Sequence, residues 1–194
     1  MYTLIGSAKT RSARVLWLLE ELGQPFTHIA AGPQSPEVRA HNTAGKVPVL
    51  LDGDATLTDS TAILTYLADK HGQFTAPAGT IARAQQDSLT HFLLDEFDAV
   101  LWTAARHSFV LPEDKRLPAI KDSLKWEYAR SLSRLEQRLQ GPFLMGDAMT
   151  IPDIIATHCL LWGLGAKFDA PGGALADYLA RMRTRPAFER AMAL

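Results

Sequence analysis

Cysteine is almost absent from this chain of 194 residues, where Cys159 stands alone. One thiol cannot close an internal disulfide and cannot form a Cys-x-x-Cys redox or zinc motif, which fits a reducing compartment. An excess of one charge is lacking too. With 20 Lys+Arg against 21 Asp+Glu the formal net charge is -1. That balance gives neither the basic footprint of a nucleic-acid binder nor a polybasic membrane anchor. Long apolar runs are also missing: Leu16 to Leu19 is far too short to cross a bilayer, and the first residues lack the order of a signal peptide. The expectation is a cytoplasmic protein with no nucleic-acid or membrane partner. His28, His41, His71, His91, His107 and His158 form no ligand pair with supporting carboxylates, and no His-Glu-x-x-His occurs, so no metal is expected. The absence of Gly-x-Gly-x-x-Gly and of a phosphate loop argues against nucleotide-dependent chemistry.

What is present is an apolar content of 47%, enough for one large core or two small ones. Tyr2 to Ile5 reads as a strand ended by Gly6-Ser7. Val15, Leu16, Leu18, Leu19 and Leu22 then recur at helical spacing until Gly23-Gln24-Pro25 stops them. Phe26 to Ala30 reads as a second strand, and Ser35-Pro36-Glu37 opens a short helix with Ser as N-cap and Pro at the first helical position. Val49 to Leu51 and Ala55 to Leu57 flank Asp52-Gly53, a strong hairpin signal, and residues 60–70 close the unit as a helix. The order βαβαββα, with a parallel crossover first and a hairpin second, is that of a thioredoxin-like α/β domain over residues 1–75.

Residues 73–80, rich in Pro, Gly and small side chains, read as a linker. From 81 to 194 the pattern is all-helical. Residues 82–109 form a long amphipathic stretch and 120–139 a second helix, with Leu124, Tyr128, Leu132, Leu135 and Leu139 on one stripe. Thr150 and Asp153 make a capping box, and Met149 and Ile154 are placed for a hydrophobic staple. The helix they open is apolar nearly all round, so it is expected at the centre of this domain.

Two segments carry chemistry. In Lys46-Val47-Pro48-Val49-Leu50, proline cannot donate to a sheet ladder, so it marks a strand's first residue or edge and leaves Val47 free to pair with something else. Shortly afterwards Asp59-Ser60 opens a helix, whose first turn offers N-H donors and positive dipole to a carboxylate. Together they describe a receptor for a short extended peptide with a charged end.

These residues resemble the cytosolic glutathione transferases over essentially the whole chain. The resemblance rests on Lys46-Val47-Pro48 with Asp59-Ser60, on Ser12-Ala13-Arg14-Val15-Leu16-Trp17-Leu18-Leu19-Glu20-Glu21-Leu22-Gly23, which is similar to the first helix of many bacterial members, and on Thr150-x-x-Asp153. It implies that Pro48 is cis, that Val47 pairs through its backbone with the cysteinyl part of glutathione, and that Asp59 and Ser60 hold the γ-glutamyl end. Lys46 is a candidate for the glycyl carboxylate. Glutathione would be a co-substrate, the second partner a small hydrophobic electrophile, the role detoxification and the assembly a homodimer.

A thiol of ordinary pKa, about 8.5, is only slightly ionised at neutral pH, and the thiolate is the nucleophile. Lowering that value by about two units requires about 2.7 kcal/mol of preferential interaction with the anion, within reach of one good hydrogen bond and a helix start. The donor is expected between the first strand and first helix. Family members use Tyr, Ser or Cys there; Tyr2 lies too early and no Cys is near, so a hydroxyl-type or backbone-assisted site is implied. Thr10 is the first candidate, then Ser12, then Ser7; either Thr10 or Ser12 is equally suited to capping the helix. Trp102, Arg106 and Phe109 are spaced to face the first domain as an electrophile pocket. Alternatives are a glutathione-dependent peroxidase, isomerase or dehalogenase, or a noncatalytic binding or regulatory protein of the same fold.

Overall fold

A computed structural model describes all residues from Met1 to Leu194. The chain divides into two compact units, residues 1–77 with 181–194, and residues 78–180. The all-helical region expected over 81–194 thus gives up its last fourteen residues to the first unit.

In the first unit, β1 (Tyr2–Ile5), β2 (Phe26–Ile29), β3 (Val49–Asp52) and β4 (Ala55–Thr58) form one sheet in the order β2-β1-β3-β4. β1 runs parallel to β2 and antiparallel to β3, with Ile5 opposite both Ile29 and Val49. Helix α1 (Ser12–Glu21) crosses from β1 to β2, α2 (Pro36–Arg39) follows β2, and α3 (Ser60–His71) follows the hairpin. The order is the βαβαββα of a thioredoxin-like domain. Alternation along the strands sends Ile5 and Val49 into a cluster with Ala31 and the α2 residue Val38. Leu4 and Leu50 belong to the opposite face and are fully buried. Ser35 caps α2 by accepting from Val38 N-H.

Helix α9 (Pro186–Met192) packs on α1 in this unit. Trp17 and Phe188 meet edge to face at 5.0 Å. Arg185 forks onto Glu21 at 2.6 and 2.8 Å, and Trp17 Nε1 donates to the same carboxylate at 2.8 Å. A bidentate pair sharing its acceptor with an indole is geometrically specific, unlike an exposed single contact.

The second unit is helical: α4 (Ile81–Leu93), α5 (Ala99–Ala105), α6 (Ile120–Glu136), α7 (Ile151–Gly165) and most of α8 (Gly173–Arg183). The stretch expected as one regular helix over 82–109 contains two π turns, Leu94–Asp98 and Arg106–Val110. In the second, Leu111 N-H reaches back to Arg106 C=O at 3.0 Å. Helix α7 buries ten residues and is the core of the unit. Asp153 within it is fully buried; it accepts from Thr150 N-H at 2.8 Å, Leu144 N-H at 2.9 Å and Tyr178 O-H at 3.0 Å. Phe92, Phe97, Tyr128 and Phe168 form an edge-to-face chain beside it.

Candidate functional site

The loop entering β3 is shaped by Asn42, whose Nδ2 donates to Lys46 C=O at 2.9 Å and whose Oδ1 accepts from Ala44 N-H at 3.1 Å. Gly45 has φ +66, a left-handed conformation that favours glycine. The Val47-Pro48 peptide bond is cis. The β1-β3 ladder ends at Ile5 opposite Val49, which leaves the backbone N-H and C=O of Val47 beyond the ladder with no partner in the protein. Val47 is half-buried, Pro48 buried, and Lys46 exposed. A backbone donor and acceptor on one extended residue past the end of a ladder can accept an added peptide strand.

The start of α3 is built differently. Asp59 holds φ +70, an uncommon conformation for a residue with a side chain, and its carboxylate accepts from Thr61 N-H at 2.9 Å and Ala62 N-H at 3.0 Å. This leaves the Ser60 N-H as the first-turn donor that the cap does not take. Ser60 is buried, and its Oγ lies 3.3 Å from Arg14 Nη1. The exposed Asp59 carboxylate, the Ser60 donors and the helix dipole can receive a group bearing both an ammonium and a carboxylate.

The hydroxyls lie in the turn before α1. Thr10 Oγ1 is 2.7 Å from Ser7 C=O and 3.0 Å from Ser12 Oγ, and it accepts from Ser12 N-H at 3.2 Å. A hydroxyl has one proton, and the Ser7 carbonyl can only accept; the Thr10–Ser12 contact therefore runs from the Ser12 hydroxyl to Thr10. Thr10 is half-buried, whereas Ser12 is fully buried. The cause is Gly6, at φ +147, where a Cβ would stand 2.0 Å from Ser12 Oγ and 3.2 Å from Val47 Cβ. The bare backbone of Gly6 lets the α1 loop and Val47 approach each other. His28 Nε2 anchors Gly6 C=O at 2.7 Å. Ser7 Oγ accepts from Lys9 N-H. The Tyr2 hydroxyl contacts His71 at 2.9 Å, at the far end of α3 from Ser60.

Trp102 lies on α5, and Arg106 and Phe109 in the π turn that follows. Phe109 is 69% exposed, so it is no core aromatic, and Arg106 Nη2 donates to Thr103 Oγ1 at 2.9 Å. A π turn rotates side chains away from the regular helical stripe and recurs at functional sites.

Three residues of this geometry escaped the sequence reading as parts of the site. Asn42 and Gly6 gave no pattern beyond loop composition. Arg14 did give one: it interrupts the buried face of α1 between Ala13 and Val15, all three buried, and a charge among such residues calls for a partner.

Comparison with known proteins bears on this geometry. Residues 6–75 match the family described as Glutathione S-transferase, N-terminal domain, and residues 98–186 match Glutathione S-transferase, C-terminal domain. A glutathione S-transferase-like protein of a Fusarium species is 31% identical over 160 residues, covering 75% of this chain and 67% of its own length. Glutathione S-transferase theta-2B of Homo sapiens is 31% identical over 142 residues, which cover 66% of this chain; the match spans only 55% of that relative's length. Among solved structures, the theta class glutathione S-transferase from Xanthomonas axonopodis pv. citri with glutathione bound has a TM-score of 0.81 at 27% identity, covering 100% of this chain and 97% of its own. On the two domain matches in order, and on these relatives, the chain belongs to the glutathione S-transferase family.

Proposed function

We propose that this protein is a glutathione transferase of the hydroxyl type, in which the thiolate of bound glutathione attacks a small hydrophobic electrophile. The observation that carries the reading is the unpaired backbone of Val47, set beside the Gly6–Ser12 contact and in the same unit as the α3 helix start. Glutathione would add to Val47 as a short strand, its γ-glutamyl end at Asp59 and Ser60 and its glycyl carboxylate near Lys46. Thr10 is the group that meets the sulfur. Its proton rests on the Ser7 carbonyl, and an arriving thiolate, a charged acceptor, outcompetes that neutral one. Ser12 then serves from behind: by donating to Thr10 Oγ1 it leaves the Thr10 proton for the sulfur. Ser7, engaged with Lys9 N-H, is the weakest of the three candidates.

Catalysis by this arrangement is positioning plus anion stabilisation. Trp102, Arg106 and Phe109 are proposed to line the electrophile pocket. The proposal extends to a cytoplasmic homodimer acting in detoxification; no helix is long and apolar enough to cross a membrane. The engagement of Thr10 with Ser7 favours a second reading, a noncatalytic glutathione-binding protein of the same fold. Titration calorimetry with glutathione, then turnover on an activated aryl halide, separates them. Binding with turnover supports the transferase, binding without turnover on a panel of electrophiles supports the second reading, and no heat at millimolar glutathione overturns both.

A further inference from the structure

We propose that Arg14 is a positioning residue of the α3 end of the site, fixing the Ser60 hydroxyl as a donor toward the carboxylate of a bound γ-glutamyl group. The inference rests on the glutathione reading above. Arg14 is 1% exposed, and its Nη1 reaches Ser60 Oγ from 46 residues away in the chain. A guanidinium is always charged and has donors only, so in this contact Ser60 Oγ accepts. The Ser60 proton is thereby turned toward some other acceptor. Asp59 already occupies the Thr61 and Ala62 N-H groups. What the helix start presents to an incoming anion is the Ser60 N-H together with the Ser60 O-H.

The alternative is that Arg14 only fills space in α1. An apolar side chain of similar volume fills buried space as well as an ion does, or better, because a buried charge carries a desolvation cost. Arg14 also sits two residues after Ser12 on the helix that carries the hydroxyl turn. One helix therefore carries both a residue of the hydroxyl turn and the side chain that reaches Ser60.

The test is calorimetry on the full chain with two ligands: glutathione, and 4-aminobutyryl-cysteinyl-glycine, which lacks the α-carboxylate of the glutamyl group. Arg14→Met is expected to weaken glutathione about tenfold, the loss of one charge-assisted contact, while the carboxylate-free analogue stays within about twofold of its wild-type affinity. Arg14→Lys, which keeps charge and stem but not the fork, is expected to fall between. In a Ser60→Ala background, Arg14→Met should weaken glutathione no further. Equal loss for both ligands, or an undiminished tenfold loss in the Ser60→Ala background, overturns the inference. If the Arg14 variants fail to fold, Ser60→Ala alone decides: glutathione must weaken and the analogue must not, and equal loss overturns the donor role. A wild-type protein that binds neither ligand overturns the glutathione reading itself, a result distinct from any of these.

Discussion

Each unit of the molecule has a helix opened by an aspartate, and the two aspartates are used in opposite ways. Asp59 is exposed at the start of α3, at φ +70, with two backbone N-H groups on one carboxylate oxygen. Asp153 lies fully buried in the first turn of α7 and accepts from Leu144, Thr150 and Tyr178. Both satisfy helix N-H donors that would otherwise be orphaned. The exposed one keeps an oxygen in reach of a ligand and pays in backbone conformation. The buried one has its capacity filled by its own unit and ties the 144–150 loop to α7 and α8. On the proposed function the same residue thus serves ligand binding at one helix start and stability at the other, and solvent access decides which.

The strongest way to break this contrast is alanine at each position. Asp153→Ala removes a buried acceptor, strands the Leu144 N-H and leaves the Tyr178 hydroxyl only its longer contact to the backbone carbonyl of residue 153 among the bonds it makes to this residue. A loss of about 3 kcal/mol is expected in urea unfolding. Asp59→Ala is expected to cost about 1 kcal/mol as an exposed cap. If Asp59→Ala is the more damaging to stability, the division of roles is wrong.

Ligand affinity reverses the order. Asp59→Asn keeps a good N-cap while removing the charge, so stability should hold within about 0.5 kcal/mol. Glutathione affinity should fall about tenfold or more, because the ammonium of the ligand loses its partner. Calorimetry reads this directly. In the same assay Asp153→Asn, whatever its stability, should leave the affinity of the folded protein unchanged. Within the hydroxyl turn, Thr10→Val should raise the pKa of bound glutathione, followed by thiolate absorbance, by about one unit or more. Ser12→Ala should raise it by less, since Ser12 acts through Thr10; an equal or larger shift would make Ser12 the direct donor.

The contrast between the two aspartates was only half legible in the sequence. Thr150-x-x-Asp153 and Asp59-Ser60 were readable as helix starts because capping is local, a matter of three or four residues. Val47-Pro48 was readable because proline's missing N-H restricts where it can sit whatever surrounds it. Whether each carboxylate faces solvent was not readable, since that depends on Tyr178 and Leu144 arriving from elsewhere in the chain. The full burial of Ser12 depends likewise on the approach of Gly6, and the contact of Ser60 on Arg14. Docking of α9 on α1 rests on Trp17, Glu21, Arg185 and Phe188, pairs more than 160 residues apart. The two π turns leave no trace in the hydrophobic periodicity of residues 82–109.

A pH series sharpens the contrast further. Burial pushes the Asp153 carboxyl above its ordinary 3.8, against the pull of its hydrogen bonds from Leu144, Thr150 and Tyr178. A carboxyl raised in the folded state binds more protons folded than unfolded, so its contribution to stability falls as pH rises from the unfolded value through the folded one. Chemical denaturation across the acid range should show that falling component in the wild type and not in Asp153→Asn. At Asp52 the direction is opposite. Lys70 and then Tyr66 hold its carboxyl below 3.8, so its contribution is present above that value and disappears as pH drops through the lower folded one. Asp52→Asn should remove this second component alone.

The smallest expected effect concerns what makes a buried polar group worth having. Tyr178 and Tyr128 are both fully buried in the second unit, yet only the first has a use for its hydroxyl near a cap. The Tyr128 hydroxyl finds no hydrogen-bond partner and is packed so closely on α7 that a Cβ at Gly163 would lie 2.3 Å from it; burial pushes its pKa well up. Tyr178→Phe should cost about 1–2 kcal/mol, because Asp153 loses a donor in a site closed to water. Tyr128→Phe removes an unsatisfied group and keeps the ring packed edge to face between Phe97 and Phe168. It should leave stability unchanged or raise it by about 0.5 kcal/mol. A Tyr178→Phe variant as stable as wild type would mean that ring packing, not the bond to Asp153, ties α8 to the start of α7, and the buried aspartate would lose part of the stabilising role that sets it apart from Asp59.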